Sequence, residues 1–355
     1  MILVVCLNPA LDITHHVENV DWAGVNRPTA VHARPGGKGT NVARTLHALG
    51  TDVTLLALAG GPTGNAIEAN LRALGLSTAF TYTAADTRRT FTVVDGRAAD
   101  GRGAVALFNE PGLEVNGAEW DKFRAQYSRV LAVAAQEGPA AVVLSGSLPP
   151  GLPADAYATL IALAKAAGVP TVLDTSGTAL RHGIAAGPDV VKPNLEELAA
   201  LTSGEAHDSG HLGTSECRQM STVMAAAAIR EAGVPSVVVS LGPDGLLAVT
   251  GDGCWQAQPA AVLPGNATGA GDAVVAALAR GIVSCLPWPG RLRHAVALSA
   301  ATVASPVAGE FVPADYEAGL DTATVRELRP VSRLAPRQHQ EHQKPQSAGQ
   351  EQEAR

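Results

Sequence analysis

The sequence predicts a doubly wound α/β domain: a mostly parallel sheet with helices on both faces and a small β-sheet beside it. Three observations carry this expectation. Residues 2–7 (ILVVCL) are wholly apolar, the pattern of a strand buried on both faces of a parallel sheet. From about residue 120 onward, strand, loop and helix patterns alternate regularly. Residues 13–34 and 90–108 carry strand patterns that no helix follows, so they belong to a sheet apart from the main one.

Composition bounds the function. The chain has 355 residues, 46% hydrophobic and 17% charged, enough for one large α/β domain. Aromatics are only 4%, so the core must come from Ala, Val and Leu. A net charge of −7 argues against a nucleic-acid surface. Cys6, Cys217, Cys254 and Cys285 lie far apart without a CxxC pair, which favours thiols in a reducing compartment over disulfides or a zinc site. Met1 leads directly into a strand pattern, and no apolar run reaches 18 residues. The expectation is a cytoplasmic protein with no membrane partner.

In chain order, the first strand ends at Asn8-Pro9, and Asp12 follows at its carboxyl end, where α/β sheets bind ligands. Residues 34–41 (RPGGKGTN) open a helix that Gly50 stops. This glycine-rich start, with Gly37, Lys38 and Asn41, lacks the spacing and Lys-Ser/Thr ending of a Walker A loop. Residues 53–59 read as a strand, 63–74 as a helix, and 90–94 with 104–108 as a hairpin. Arg88 and Arg89 precede that hairpin; they guard a sheet edge or bind a phosphate. Further on, helix patterns at 121–137, 154–167 and 223–232 alternate with strands at 141–144, 171–173, 190–191 and 237–240. Residues 95–103, 203–216 and the tail 331–355 are polar; the tail cannot bury enough surface to fold and is expected to be disordered.

The stretch 264–273 (PGNATGAGDA) precedes a helix pattern over 273–281. Small residues at 267–271 let a phosphate approach the backbone. The first N–H groups of a helix lack intrahelical partners and carry the positive end of its dipole. Asp272 beside them is placed to accept a proton from an attacking hydroxyl. An anion hole with a base is what phosphoryl transfer needs. The plain alternative is a glycine-rich turn with Asp272 as helix N-cap.

Seven segments then fall in one order: LNPALD at 7–12, GGKGTNVA at 36–43, FNEPG at 108–112, SGSLP at 145–149, VKPN at 191–194 with Glu197, SLG at 240–242 and TGAGD at 268–272. Together they resemble the PfkB (ribokinase-like) carbohydrate kinase family, in its 1-phosphofructokinase and tagatose-6-phosphate kinase branch. The resemblance implies a ribokinase-like kinase domain over 1–330, with a β lid from about 11–35 and 86–110. It implies Asp272 as catalytic base and the backbone of Gly269, Ala270 and Gly271 as anion hole. Asp12, Gly37, Lys38 and Asn41 match the sugar side, with Lys38 near the substrate phosphate. Lys192, Ser240, Gly242, Gly245 and Thr268 match nucleotide contacts, and Asn194 with Glu197 a magnesium-placing pair that acts through water. The branch often carries Arg-x-Asn in the first hairpin strand. Here Phe91 or Thr90 stands at the Asn position, depending on whether Arg89 or Arg88 is the matching arginine. The implied activity is phosphorylation of D-fructose 1-phosphate at its 6-hydroxyl, with ATP and Mg²⁺. Alternatives are tagatose 6-phosphate or fructose 6-phosphate at the 1-hydroxyl, a free sugar, or a sugar-phosphate sensor on an inactive scaffold. A homodimer joined through the lid is a further expectation.

Overall fold

The computed structural model describes residues 1–96, 104–202, 215–305 and 309–328. Most of the 95–103 and 203–216 loops and the tail expected to be disordered lie outside the described residues. The N-terminal half runs β1 (Ile2–Cys6), β2 (Ala10–Val17), β3 (Ala30–Gly36), α1 (Lys38–Ala48), β4 (Val53–Gly60), α2 (Gly61–Ala73), β5 (Ser77–Thr83), β6 (Arg89–Asp95), β7 (Ala104–Asn109) and α3 (Gly117–Gln136). It continues with β8 (Ala141–Ser145), α4 (Ala156–Ala166), β9 (Thr171–Asp174), α5 (Gly177–Ala185), β10 (Val190–Val191), α6 (Leu195–Thr202) and α7 (Ser215–Glu231). The C-terminal part holds β11 (Ser236–Ser240), β12 (Leu246–Val249), β13 (Cys254–Gln258), α8 (Ala270–Val283), α9 (Trp288–Ala304), α10 (Pro313–Thr322) and β14 (Thr324–Leu328).

These elements make a ten-stranded sheet in the order β14-β13-β12-β11-β10-β9-β8-β1-β4-β5. It is parallel from β5 to β11 and antiparallel from β11 to β14. Alternation along β1 divides the core. Ile2, Val4 and Cys6 face one cluster with α1, α2, α8, α9 and α10, while Leu3, Val5 and Leu7 face another with α3 to α7. The chain leaves β1 toward β4 on one side and returns to β8 on the other. That reversal opens a crevice at the strands' carboxyl ends, where such sheets bind ligands. Asn8 Nδ2 spans it, donating to Ser147 Oγ at 3.0 Å.

The second sheet, β3-β2-β6-β7, is the small separate sheet that the strand patterns predict, hereafter the lid. Its register sets Arg34, Asp12, Thr90 and Asn109 in one row across the four strands. Residues in one row share a face, and their chain neighbours point to the other. The expected alternation holds from α3 to β11, but α8 begins at Ala270, three residues before the sequence pattern suggested. Gly269, in the left-handed region at φ 88°, is its N-cap. Asp272 is therefore not the cap but the third residue of the helix. Among the described residues no disulfide joins the cysteines.

Candidate active site

The site is assembled where α1 and α8 start side by side. Asp272 is 6% exposed, and its Oδ2 accepts a hydrogen bond from Asn41 Nδ2 at 2.9 Å. Asn41 lies on the first turn of α1, whose N-cap is Gly37. Gly269 cannot carry a side chain, because a Cβ there would lie 2.5 Å from Gly309 Cα. The backbone at the start of α8 is thus open on one side and backed by Gly309 on the other.

Two ammonium groups join this centre. Lys38 Nζ stands 3.7 Å and Lys192 Nζ 3.2 Å from Oδ1 of Asp174, the last residue of β9. A side chain at Gly271 would lie 3.6 Å from Lys192 Nζ, so that ammonium rests against the start of α8. Asp174 is 1% exposed, with both oxygens short of hydrogen-bond donors. Burial, and then the charge of Asp174, push Asp272 up to about 7, while Asn41, Lys38 and Lys192 oppose the rise. Burial disfavours the charged Lys38, but Asp174, Glu197 and Asp272 outweigh it and hold that ammonium above its ordinary value. A carboxylate tuned near neutrality beside cations and helix N–H groups can take a proton while a phosphoryl group is held.

Asn194 and Glu197 form a reciprocal capping box at the start of α6. Asn194 N donates to Glu197 Oε2 at 2.9 Å, and Glu197 N to Asn194 Oδ1 at 2.7 Å. Glu197 still reaches Lys38 electrostatically. Ser240 bridges to Asn194 at the end of β11, and the 3-10 turn Gly242–Asp244 with Gly245 follows. Thr268 donates its N–H to Asn266 Oδ1 at 2.9 Å and accepts from Gly309 N at 3.0 Å. Among the described residues no group of three or more His, Cys, Asp or Glu side chains is arranged to hold a metal ion. Asp174, whose oxygens are short of donors, and Glu197 are the carboxylates that would hold a magnesium ion here through water.

On the lid side, Asp12 Oδ1 accepts from Thr90 Oγ1 at 2.6 Å. Asp12 leans over Gly36, where a Cβ would come within 1.8 Å of its Oδ2, so a side chain there would displace the carboxylate. Arg89 follows the other parity, with Leu11 and Phe91. It pairs with Glu110 at 3.1 Å and lies 5.6 Å over the Phe91 ring. Arg88 instead donates to the carbonyls of Asn8 and Glu110, both at 3.3 Å, and its Nε is buried without a partner. A cleft of about 310 Å³ opens beside it, lined by Thr63, Asp86, Thr87, Arg88, Arg89, Glu110, Pro111 and Gly112. Asp272 does not line this cleft.

The structure thus gathers Asp272, Asn41, Lys38, Lys192 and the start of α8. It sets Asp12 and Arg88 on the lid side and turns Arg89 away from Asp12. The contacts of Lys38 are with the Asp174–Asp272 centre, not with the two arginines. Sequence reasoning passed over Asp174. The available signal was an aspartate closing a buried strand, as Asp12 follows the end of β1.

Comparison with known proteins bears on this arrangement. A family model described as pfkB family carbohydrate kinase matches residues 1–315. A 1-phosphofructokinase from Rhodobacter capsulatus is 35% identical over 331 residues, covering 93% of this chain and 99% of that protein. A 1-phosphofructokinase from Xanthomonas campestris pv. campestris is 35% identical over 285 residues, covering 79% and 84%. Among solved structures, phosphofructokinase-2 from Escherichia coli superposes with a TM-score of 0.80 at 30% identity, covering 90% of this chain and 98% of that one.

Proposed function

This chain belongs to the pfkB family of carbohydrate kinases, and from that premise we propose that it phosphorylates D-fructose 1-phosphate at the 6-hydroxyl, using ATP. The chain is a phosphotransferase with a sugar hydroxyl as acceptor. The observation that carries the reading is the buried Asp272 at the start of α8, hydrogen-bonded by Asn41, raised to about 7 and within reach of the Lys38 and Lys192 charges. An inactive sensor has no need of a tuned base. Likeness to the two 1-phosphofructokinases supports the choice of sugar. Likeness to phosphofructokinase-2 makes fructose 6-phosphate the second reading.

In this mechanism Asp272 takes the proton of the attacking hydroxyl, and Asn41 holds the accepting carboxylate in place. Lys38, Lys192 and the N–H groups after Gly269 pair with the oxygens of the transferred phosphoryl group. Lys192, Thr268 and the Ser240–Gly245 turn hold the nucleotide. Asp12 holds sugar hydroxyls. Arg88, beside the cleft and with an orphaned Nε, holds the phosphate the substrate already carries; Arg89 buttresses the lid through Glu110. Magnesium beside Asp174 and Glu197 would offset the phosphates' mutual repulsion.

We further propose that two copies associate through the lid, where Val31, Leu107 and Phe108 are more than half exposed. The solution mass should then be twice 36.2 kDa, and a monomer at assay concentration would refute it. ADP release measured with fructose 1-phosphate, fructose 6-phosphate, tagatose 6-phosphate and free fructose tests the function. The highest kcat/KM should be on fructose 1-phosphate. Equal kcat/KM on free fructose would overturn the sugar-phosphate assignment.

A further inference from the structure

Arg34, Arg44 and Glu310 form a charged cluster outside the residues assigned above. Arg34 lies on β3 of the lid, Arg44 on α1, and Glu310 ahead of α10. Arg44 Nη2 donates to Glu310 Oε1 at 2.7 Å, and Arg34 Nη1 stands 3.9 Å from the same oxygen. Two guanidinium groups share one carboxylate, and Nη1 of each is buried without a hydrogen-bond partner. Burial, and then repulsion by Arg44, disfavour the charged Arg34, against the opposing pull of Asp12 and Glu310. Two half-buried cations that share one carboxylate, each with a buried idle donor, have capacity for a further anion.

The position of Arg34 says which anion. A Cβ on Gly309 would lie 3.5 Å from Arg34 Nη2 and 3.6 Å from the Asn41 side chain. Gly309 in turn backs Gly269, the N-cap of α8. One glycine therefore separates the Arg34 guanidinium from both the anion hole and the Asn41–Asp272 bond. Register also places Arg34 opposite Asp12, on the face where the sugar is held.

We infer that Arg34 is a catalytic residue, whose guanidinium leaves Glu310 to pair with the oxygens of the phosphoryl group in transit. The inference rests on the kinase reading above. In the step, the substrate hydroxyl oxygen bonds to the γ-phosphorus as its proton passes to Asp272. The bond from that phosphorus to the β–γ bridging oxygen breaks, and ADP leaves with the electron pair. Arg34 exchanges no proton; it stabilises charge on the three oxygens that belong to neither ADP nor the sugar. Because β3 is paired to β2, sugar bound at Asp12 draws Arg34 with it.

The test uses the full chain with Arg34→Gln and Arg34→Lys, fructose 1-phosphate and ATP. Arg34→Gln should lose about 10²–10³ in kcat, with both KM values little changed. It should also lose the gain in affinity that aluminium fluoride, a mimic of the phosphoryl group in transit, gives to ADP with sugar bound. Millimolar guanidinium should restore part of the lost kcat. A lid latch without catalytic contact predicts changed KM or thermal midpoint, wild-type kcat and no rescue, and that result overturns the inference. If Arg34→Gln does not fold, Arg34→Lys decides: reduced kcat at unchanged KM supports the inference, and wild-type kcat refutes it. Absence of wild-type activity on all four sugars would remove the kinase reading and this inference together. A working wild type with an indifferent Arg34→Gln removes the inference alone.

Discussion

Asp272 in α8 and Glu119 in α3 are each the third residue of their helix, and both are buried. Glu119 is saturated. Its Oε2 accepts from Asn116 N at 2.9 Å and its Oε1 from Ala84 N at 2.8 Å, while Asn116 Oδ1 accepts from Glu119 N in return. Asp272 follows a glycine cap that offers no side chain, so its carboxylate is free to turn toward α1 and meets one amide, Asn41. Glu197 in α6 stands between them: it closes a box like that of Glu119, but at the cleft, within reach of the Lys38 charge. One helical position yields a structural clamp, the proposed base or a neighbour of the proposed site. The difference lies in the cap that precedes the acid and in the sheet edge on which the helix starts.

Replacement of the three acids should separate these roles. Asp272→Asn should lower kcat by about 10²–10⁴, the usual range for a general base, with KM little changed. Near-wild-type turnover would reduce Asp272 to a second clamp. A similar contrast holds within the lid, between neighbours of opposite parity. Arg88→Ala should cut kcat/KM for fructose 1-phosphate by about 10–150-fold, the loss of one charge-assisted bond, while sparing free fructose. Arg89→Ala should cut it far less, and an equal loss from the two would erase the distinction.

Glu197→Gln should raise the Mg²⁺ concentration needed for half activity, whereas Glu119→Gln should leave that titration alone and cost about 1 kcal/mol of stability. Matching titrations for the two variants would make Glu197 an ordinary cap. The smallest expected effect is on pH. The base must be unprotonated, so kcat/KM should fall as pH drops through about 7. Asn41 donates to the charged form and holds the value down, so Asn41→Ala should move that midpoint upward. A raised carboxylate value also means that folding favours the proton. Its contribution to stability is fully present below the unfolded value near 4 and is lost as pH rises through about 7. Asp272→Asn should therefore raise the thermal midpoint most above pH 7, and an unshifted acid limb in Asn41→Ala would count against the pair.

Much of this was legible in the sequence. Strand–helix alternation gave the parallel sheet, and paired strands without helices gave the lid. Other elements did not announce themselves. β5 (STAFTYT) has little apolar alternation and is held by β4. The antiparallel run β11–β13 has no α-helix between its strands, and β14 joins it only after α8, α9 and α10. In α9 the Ala-rich face is apolar enough to pass for generic core. The glycine-rich stretch exposed Asp272, but the length of α8 depended on Gly269 taking a left-handed conformation. Choosing between Arg88 and Arg89 needed the register of β2 against β6, which is non-local. The buried Asp174 and the orphaned Arg34 donors needed burial itself, which no short pattern reports.

The bond between Asn41 and Asp272 joins residues 231 apart in the chain. At about 5–20 residues per second, synthesis separates the appearance of these partners by roughly ten to fifty seconds. Throughout that interval the first half of the protein exists with α1 and without Asp272. A nascent or truncated chain also lacks α8 and α9, which cover one face of the sheet, so core closure and the capacity to consume ATP arrive late and together. Activity is accordingly a stringent report that the whole molecule has been made and has closed on itself.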